Sequence, residues 1–126
     1  LNGILNDQSL IYQQIAKLIE DGILNGAYPE ECQVPSTTEL ARVFAINPAT
    51  AAKGVNRLVD EGLLYKRRGI GMFVAEGAAE ALRRKRQTLF AQEKVAALVR
   101  EAQNLGMSRT ELLAQIDEAA AREGLE

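Results

Sequence analysis

Residues 36–74 read STTELARVFAINPATAAKGVNRLVDEGLLYKRRGIGMFV, and the order of their local signals decides the fold. Ser36, behind Pro35, offers a hydroxyl to cap a helix, and Glu39 stands at the third position of a capping box. A short helix is therefore predicted from Thr37 to about Ala45, carrying Leu40, Ala41, Val43 and Phe44. Asn47 is a good N-cap and Pro48 a good first helical residue, because the N–H that proline lacks has no partner at that position anyway. The second helix runs through Val55, Leu58 and Val59 to Gly62, which suits a left-handed C-terminal position. Leu63 to Tyr65 and Met72 to Val74 have strand composition, and the glycine-bearing loop between them suits a hairpin. Helix, turn, helix and hairpin in this order read as a winged helix-turn-helix, a unit whose second helix fits the major groove of DNA.

At about 100° per residue the second helix divides into two faces. Ala51, Val55, Leu58 and Val59 form the apolar one. Thr50, Lys53 and Arg57 lie opposite, with Ala49 and Asn56 at the margins, and these are the groove-facing candidates. The other reading is a solvated face on which Arg57 pairs with Asp60 or Glu61. Lys66, Arg67 and Arg68 beside Gly69 and Gly71 make a cationic hairpin tip, and both groups on one small unit favour nucleic acid.

The segments Ile11 to Ile15, Val34-Pro35-Ser36 with Glu39-Leu40-Ala41, Asn47 to Thr50, Leu58 to Leu64 and Arg67 to Val74 together resemble the GntR family of bacterial transcription regulators, over residues 10 to 75. The short carboxyl-terminal part resembles the YtrA subfamily, which carries two dimerising helices in place of a large effector-binding domain. The resemblance implies DNA contacts from Ser36, Thr38, Asn47, Ala49, Thr50 and Lys53, and from Arg67, Arg68, Gly69 and Gly71 in the wing. One departure stands out: many members have arginine at the position of Thr38, so a bidentate guanine contact is absent there and Thr38 is left to reach phosphate.

Charge follows the same division. The 126 residues carry a formal net charge of −2, which argues against indiscriminate nucleic-acid binding. Between Gln33 and Ala75, however, Arg42, Lys53, Arg57, Lys66, Arg67 and Arg68 face only Glu39, Asp60 and Glu61, whereas residues 1–32 hold Lys17 against Asp7, Glu20, Asp21, Glu30 and Glu31. The positive field is local to the reading unit. The chain has no histidine and a single cysteine, so it has no internal disulfide and lacks the commonest metal ligand and the usual acid-base residue. Neither a metal, a cofactor nor an enzymatic activity is expected. Cys32, next to Glu30 and Glu31, is expected to be partly buried and unreactive, since neighbouring acids disfavour a thiolate. No run is long and apolar enough to cross a membrane and no secretory leader opens the chain, so a cytoplasmic location is expected.

Ahead of the reading unit, Ile11, Ile15, Leu18, Ile19 and Ile23 recur at helical spacing up to Gly26. Tyr12 on this helix either packs or touches a phosphate. After the wing, Ala78 to Leu105 holds neither glycine nor proline, and such a helix would span about 42 Å. Ala91, Val95, Leu98, Ala102 and Leu105 are spaced as a helix-pairing seam. Ser108 and Glu111 open a further helix, with Leu112, Leu113, Ile116 and Ala120 as a second stripe. Arg83 to Arg86 are read as a solvated face with ion pairs such as Glu80 to Arg84.

The expectation is a mainly α fold with a small β-hairpin: a winged helix-turn-helix over 1–76 and a two-helix dimerisation arm over 77–126. The function expected is a homodimeric transcription regulator, a repressor, on an inverted-repeat operator in double-stranded DNA. No residue points to a small-molecule effector. The alternatives are a winged helix used only to bind protein and, more weakly, a small hydrolase, for which no paired acids are evident.

Overall fold

The computed structural model describes residues 8–126; the start of the expected 1–76 unit lies outside them. The helices and strands are α1 (Gln8–Leu24), α2 (Thr37–Val43), α3 (Pro48–Asp60), β1 (Leu64–Arg67), β2 (Gly71–Val74), α4 (Ala78–Leu89), a π-helical segment (Phe90–Val95), α5 (Ala96–Asn104) and α6 (Arg109–Glu123). The chain divides into two units, one ending at Arg84 and the other spanning Lys85–Glu126. No described helix is long and apolar enough to cross a membrane.

In the first unit the apolar stripe of α1 does what its spacing predicts: Ile15, Ile19 and Ile23 are buried, against Leu40 and Ala41 of α2 and Ala51, Val55 and Leu58 of α3. Leu18 lies off that stripe and is exposed. Leu64, Val74, Ala78 and Leu82 extend the core under the hairpin and the start of α4. Ile19, Val55, Leu58, Leu64, Val74 and Leu82 are the largest fully buried side chains, each contributing about 1.5–3 kcal/mol relative to exposure. Gly54 lets α1 and α3 approach closely. A Cβ there would stand 2.7 Å from the backbone oxygen of Tyr12 and 3.1 Å from Ile15 Cβ.

The hairpin is antiparallel with Leu64 opposite Val74 and Arg67 opposite Gly71, one or two residues further along β1 than composition suggested. Residues 31–34, ahead of α2, run along the other side of β2. Glu31 N–H donates to Val74 C=O (2.8 Å), Val74 N–H to Cys32 C=O (3.0 Å) and Val34 N–H to Met72 C=O (3.0 Å). Cys32 is exposed there, contrary to expectation. Its N–H bonds back to Pro29 C=O at 3.1 Å, and this turn holds it at the sheet edge away from the core.

In the second unit, Ser108 Oγ accepts from Glu111 N–H and the Glu111 carboxylate accepts from Ser108 N–H, a complete capping box for α6. The Ser108 N–H bond, then the Ser108 hydroxyl, holds the Glu111 carboxyl below the usual carboxylate value. The expected uninterrupted α-helix from Ala78 to Leu105 is instead divided. The π-helical segment Phe90–Val95 accommodates an extra residue in its turn, which shifts the phase of everything beyond it. The spacing of Ala91, Val95 and Leu98 as a seam was read for an unbroken α-helix, and this segment lies within it.

The close approach at Gly54 gives a test of the packing. Gly54→Ala should destabilise the protein by about 1–3 kcal/mol through overpacking, even though alanine favours a helix interior over glycine by about 1 kcal/mol. The urea midpoint of the full chain, followed by circular dichroism, measures this; a stabilised Gly54→Ala protein contradicts the packing of α1 on α3.

Candidate nucleic-acid interface

Two helix starts and a hairpin tip carry the candidate site. At α2, Ser36 is extended (φ −70°, ψ 160°) and its hydroxyl accepts from Glu39 N–H at 3.0 Å. At α3, Asn47 Oδ1 accepts from Ala49 N–H at 2.8 Å, and Pro48 is the first helical residue. Ser36, Thr38, Asn47 and Ala49 are all exposed. Each helix start leaves further N–H groups and the positive end of a dipole toward solvent, a suitable setting for phosphate oxygens.

Along α3 the buried residues are Thr50, Ala51, Gly54, Val55 and Leu58. Thr50, expected on the open face, is only 5% exposed. Both α1 and α2 pack on α3, so the covered arc is wider than a two-face division allows, and Thr50 falls inside its edge. The outward face consists of Ala49, Lys53, Asn56 and Asp60. Asn56 was placed at the margin by periodicity; the structure puts it mid-face, beside Lys53, in a groove also lined by Tyr12, Ala52 and Arg57.

The cations on this helix are held in different ways. Lys53 Nζ sits 4.4 Å from the centroid of the Tyr12 ring. Arg57 instead pairs with Glu61 (Nε to Oε2, 3.2 Å) and approaches Glu20 (Nη2 to Oε2, 3.9 Å), the solvated-pair reading with a second acid added. Glu20 is 4% exposed on α1; its only sequence signal is an acid beside Ile19 within an otherwise apolar stripe.

The hairpin tip presents Lys66, Arg67 and Arg68 to solvent. Ile70 N–H bonds to Arg67 C=O at 3.0 Å, and Gly69 and Gly71 have φ of +76° and +146°, conformations that L residues with a Cβ rarely adopt. Gln33, which sequence reading did not single out, braces the tip: its Nε2 donates to Ile70 C=O at 2.9 Å. A Cβ on Gly71 would meet that same nitrogen at 2.5 Å. The Arg67 guanidinium lies over Phe73, 4.9 Å from the ring centroid, and Phe73 stacks with Tyr65 at 5.9 Å. Tyr65 Oη donates to Glu31 at 2.7 Å, and that bond to a carboxylate raises the Tyr65 pKa above its usual value.

The arginines after the wing behave as a solvated face. Glu80 accepts from Arg83 (2.9 Å) and Arg84 (3.1 Å), which together hold its carboxyl below the usual range, Arg83 first. In the second unit Val95, Leu98, Leu105 and Ile116 are 39, 44, 66 and 41% exposed, and Ala91 is exposed and Leu112 half-buried. Ala102, expected in the same seam, is only 6% exposed. That burial within one chain leaves little of its side chain for a partner to cover. Leu98, Leu112, Ile116, Ala119, Ala120 and Leu125 line an apolar groove of about 420 Å³. Among the described residues, no group of His, Cys, Asp and Glu is arranged to hold a metal ion.

Residues 11–74 match the family model for bacterial regulatory proteins of the gntR family. The chain is 30% identical over 111 residues to the HTH-type transcriptional repressor YtrA of Bacillus subtilis (strain 168), covering 88% of this chain and 85% of that protein. It is 37% identical over 78 residues to the HTH-type transcriptional repressor NagR of the same organism, covering 60% of this chain. The match spans only about a third (32%) of NagR's length. A crystal structure of a GntR-family transcriptional regulator from Bacteroides thetaiotaomicron superposes with a TM-score of 0.73 at 36% identity, over 90% of this chain and 98% of that one.

Gln33 reaches the wing tip through its bond to Ile70 C=O. Gln33→Ala should speed hydrogen exchange at the Ile70 amide roughly two- to tenfold, the range of one modest hydrogen bond, and leave exchange at Leu58 unchanged. Unaltered exchange at Ile70 would mean that the brace does not hold the tip.

Proposed function

The chain belongs to the GntR family of bacterial regulatory proteins, and on that premise we propose that it is a sequence-specific DNA-binding transcription regulator acting as a repressor. It binds an inverted-repeat operator in the cytoplasm as a homodimer. The observation that carries this reading is the outward face of α3, where Ala49, Lys53 and Asn56 stand open behind the Asn47 cap. The same unit carries the braced cationic wing. The repressor role is supported by the names of the relatives YtrA and NagR.

In this mechanism α3 enters the major groove with Lys53 and Asn56 toward base edges, and Ala49 allows close approach. Ser36, Thr38, Asn47 and the helix-start N–H groups fix register on phosphates. Arg67 and Arg68 add phosphate or minor-groove contacts, with Gly69 and Gly71 clearing the backbone. Thr50 contributes to packing and makes no base contact. Two such units, joined through the apolar faces around Leu98, Leu112 and Ile116 of the second unit, would meet half-sites about 34–36 Å apart.

Duplexes selected by the wild-type protein from genomic DNA provide the substrate for a test by fluorescence anisotropy at several salt concentrations. Lys53→Ala should cost about 1–3 kcal/mol on the selected duplex and relax base preference, whereas Arg67→Ala should weaken selected and random duplexes alike and lower the salt slope by about one. Unchanged affinity in both variants removes this surface from the DNA interface. For the dimer, Leu98→Glu places a carboxylate in the exposed apolar groove, where desolvation and repulsion across a two-fold axis oppose association. Sedimentation equilibrium at micromolar concentration should give a dimeric wild type and a largely monomeric variant. A monomeric wild type, or an equally stable variant dimer, contradicts that role for Leu98.

A further inference from the structure

Three residues of α1 stand in turn along three of α3. The Tyr12 ring lies at Lys53 Nζ, the Tyr12 carbonyl and Ile15 close on Gly54, and Glu20 approaches Arg57. The first helix thus holds both cations of α3, but with different chemistry. A carboxylate neutralises the arginine it holds. An aromatic face attracts an ammonium through its quadrupole and leaves the full charge in place, with N–H groups available on the side away from the ring.

Lysine has four flexible side-chain torsions, and an unrestrained lysine must lose that freedom when it reads a base. Lys53 is exposed and Tyr12 half-buried, so the ring is the better fixed of the two and sets where the ammonium rests. We propose that Tyr12 is a positioning residue for DNA recognition, its ring presetting Lys53 on the outward face of α3 before DNA arrives. This rests on the DNA-binding reading above. The hydroxyl has no part in the role, and the ring face has all of it. Tyr12→Phe therefore preserves the device, and Tyr12→Leu removes it while keeping an apolar side chain.

The experiment compares wild type, Tyr12→Phe, Tyr12→Leu, Lys53→Ala and the Tyr12→Leu/Lys53→Ala double variant on the selected duplex, with urea midpoints to confirm folding. In the absence of DNA, NMR of the Lys53 ε-methylene protons reports the ring directly, through an upfield ring-current shift. The expected result is that shift in wild type and Tyr12→Phe and its loss in Tyr12→Leu. Tyr12→Leu should bind the selected duplex about two- to fivefold more weakly, the equivalent of an exposed cation–π contact. Tyr12→Phe should match wild type, and Tyr12→Leu should add nothing in the Lys53→Ala background.

Equal losses in the two backgrounds, tighter binding by Tyr12→Leu, Tyr12→Phe as weak as Tyr12→Leu, or no ring-current shift in wild type each overturn the proposal. Lys53→Ala binding as well as wild type overturns it together with the reading role of Lys53 itself. A weak Lys53→Ala combined with uncoupled Tyr12→Leu overturns only the role of Tyr12.

Discussion

The close packing of α1 on α3 at Gly54 is the constraint from which the reading unit is built. With a Cβ-free position facing the Tyr12 carbonyl and Ile15, the two helices approach closely enough for Ile19, Val55 and Leu58 to be buried completely. That burial fixes which face of α3 is turned inward, and so which residues remain outside. It also brings Tyr12 and Glu20 against Lys53 and Arg57. The same contact therefore stabilises the domain and determines the chemistry of the helix proposed to meet DNA.

A division among the cations follows. Arg57, Arg83 and Arg84 are paired with carboxylates, and none of them is among the residues proposed to contact DNA. Lys53 and Arg67 lie instead over the rings of Tyr12 and Phe73. An aromatic partner restricts a long side chain without cancelling its charge, so both keep their full attraction for a polyanion. Small size makes this economical, because Phe73 is at once part of the buried sheet face, a stacking partner for Tyr65 and a support for Arg67.

Features governed by near neighbours were legible in the sequence. The caps at Ser36, Asn47-Pro48 and Ser108/Glu111, the apolar stripe of α1, the hairpin and the Glu80 to Arg84 pair all depend on residues within one turn or one strand. What was not legible depends on distant parts of the chain. The pairing of residues 31–34 with β2 and the Gln33 brace arise from contacts some forty residues apart, with no local pattern. Thr50 is buried because two helices flank α3, which periodicity on one helix cannot register. Ala102 is buried within the second unit, which heptad spacing on one helix cannot show. The π-helical segment Phe90–Val95 has an ordinary helical composition, so the phase shift it introduces was hidden too. Family resemblance supplied the wing glycines and helix-start residues as candidates, and the geometry then separated the exposed ones from Thr50.

The outward face of α3, its cap and the braced wing are proposed to form one DNA-contacting surface. An NMR titration of isotopically labelled protein with a duplex selected by the wild type tests it most directly. The largest shift changes should cluster at Ser36, Asn47, Ala49, Lys53, Asn56 and Arg67 to Gly71, with Lys53 side-chain signals among them. Changes confined to the second unit, or centred on the exposed apolar residues Leu18 and Phe44 while α3 and the wing stay silent, would contradict it.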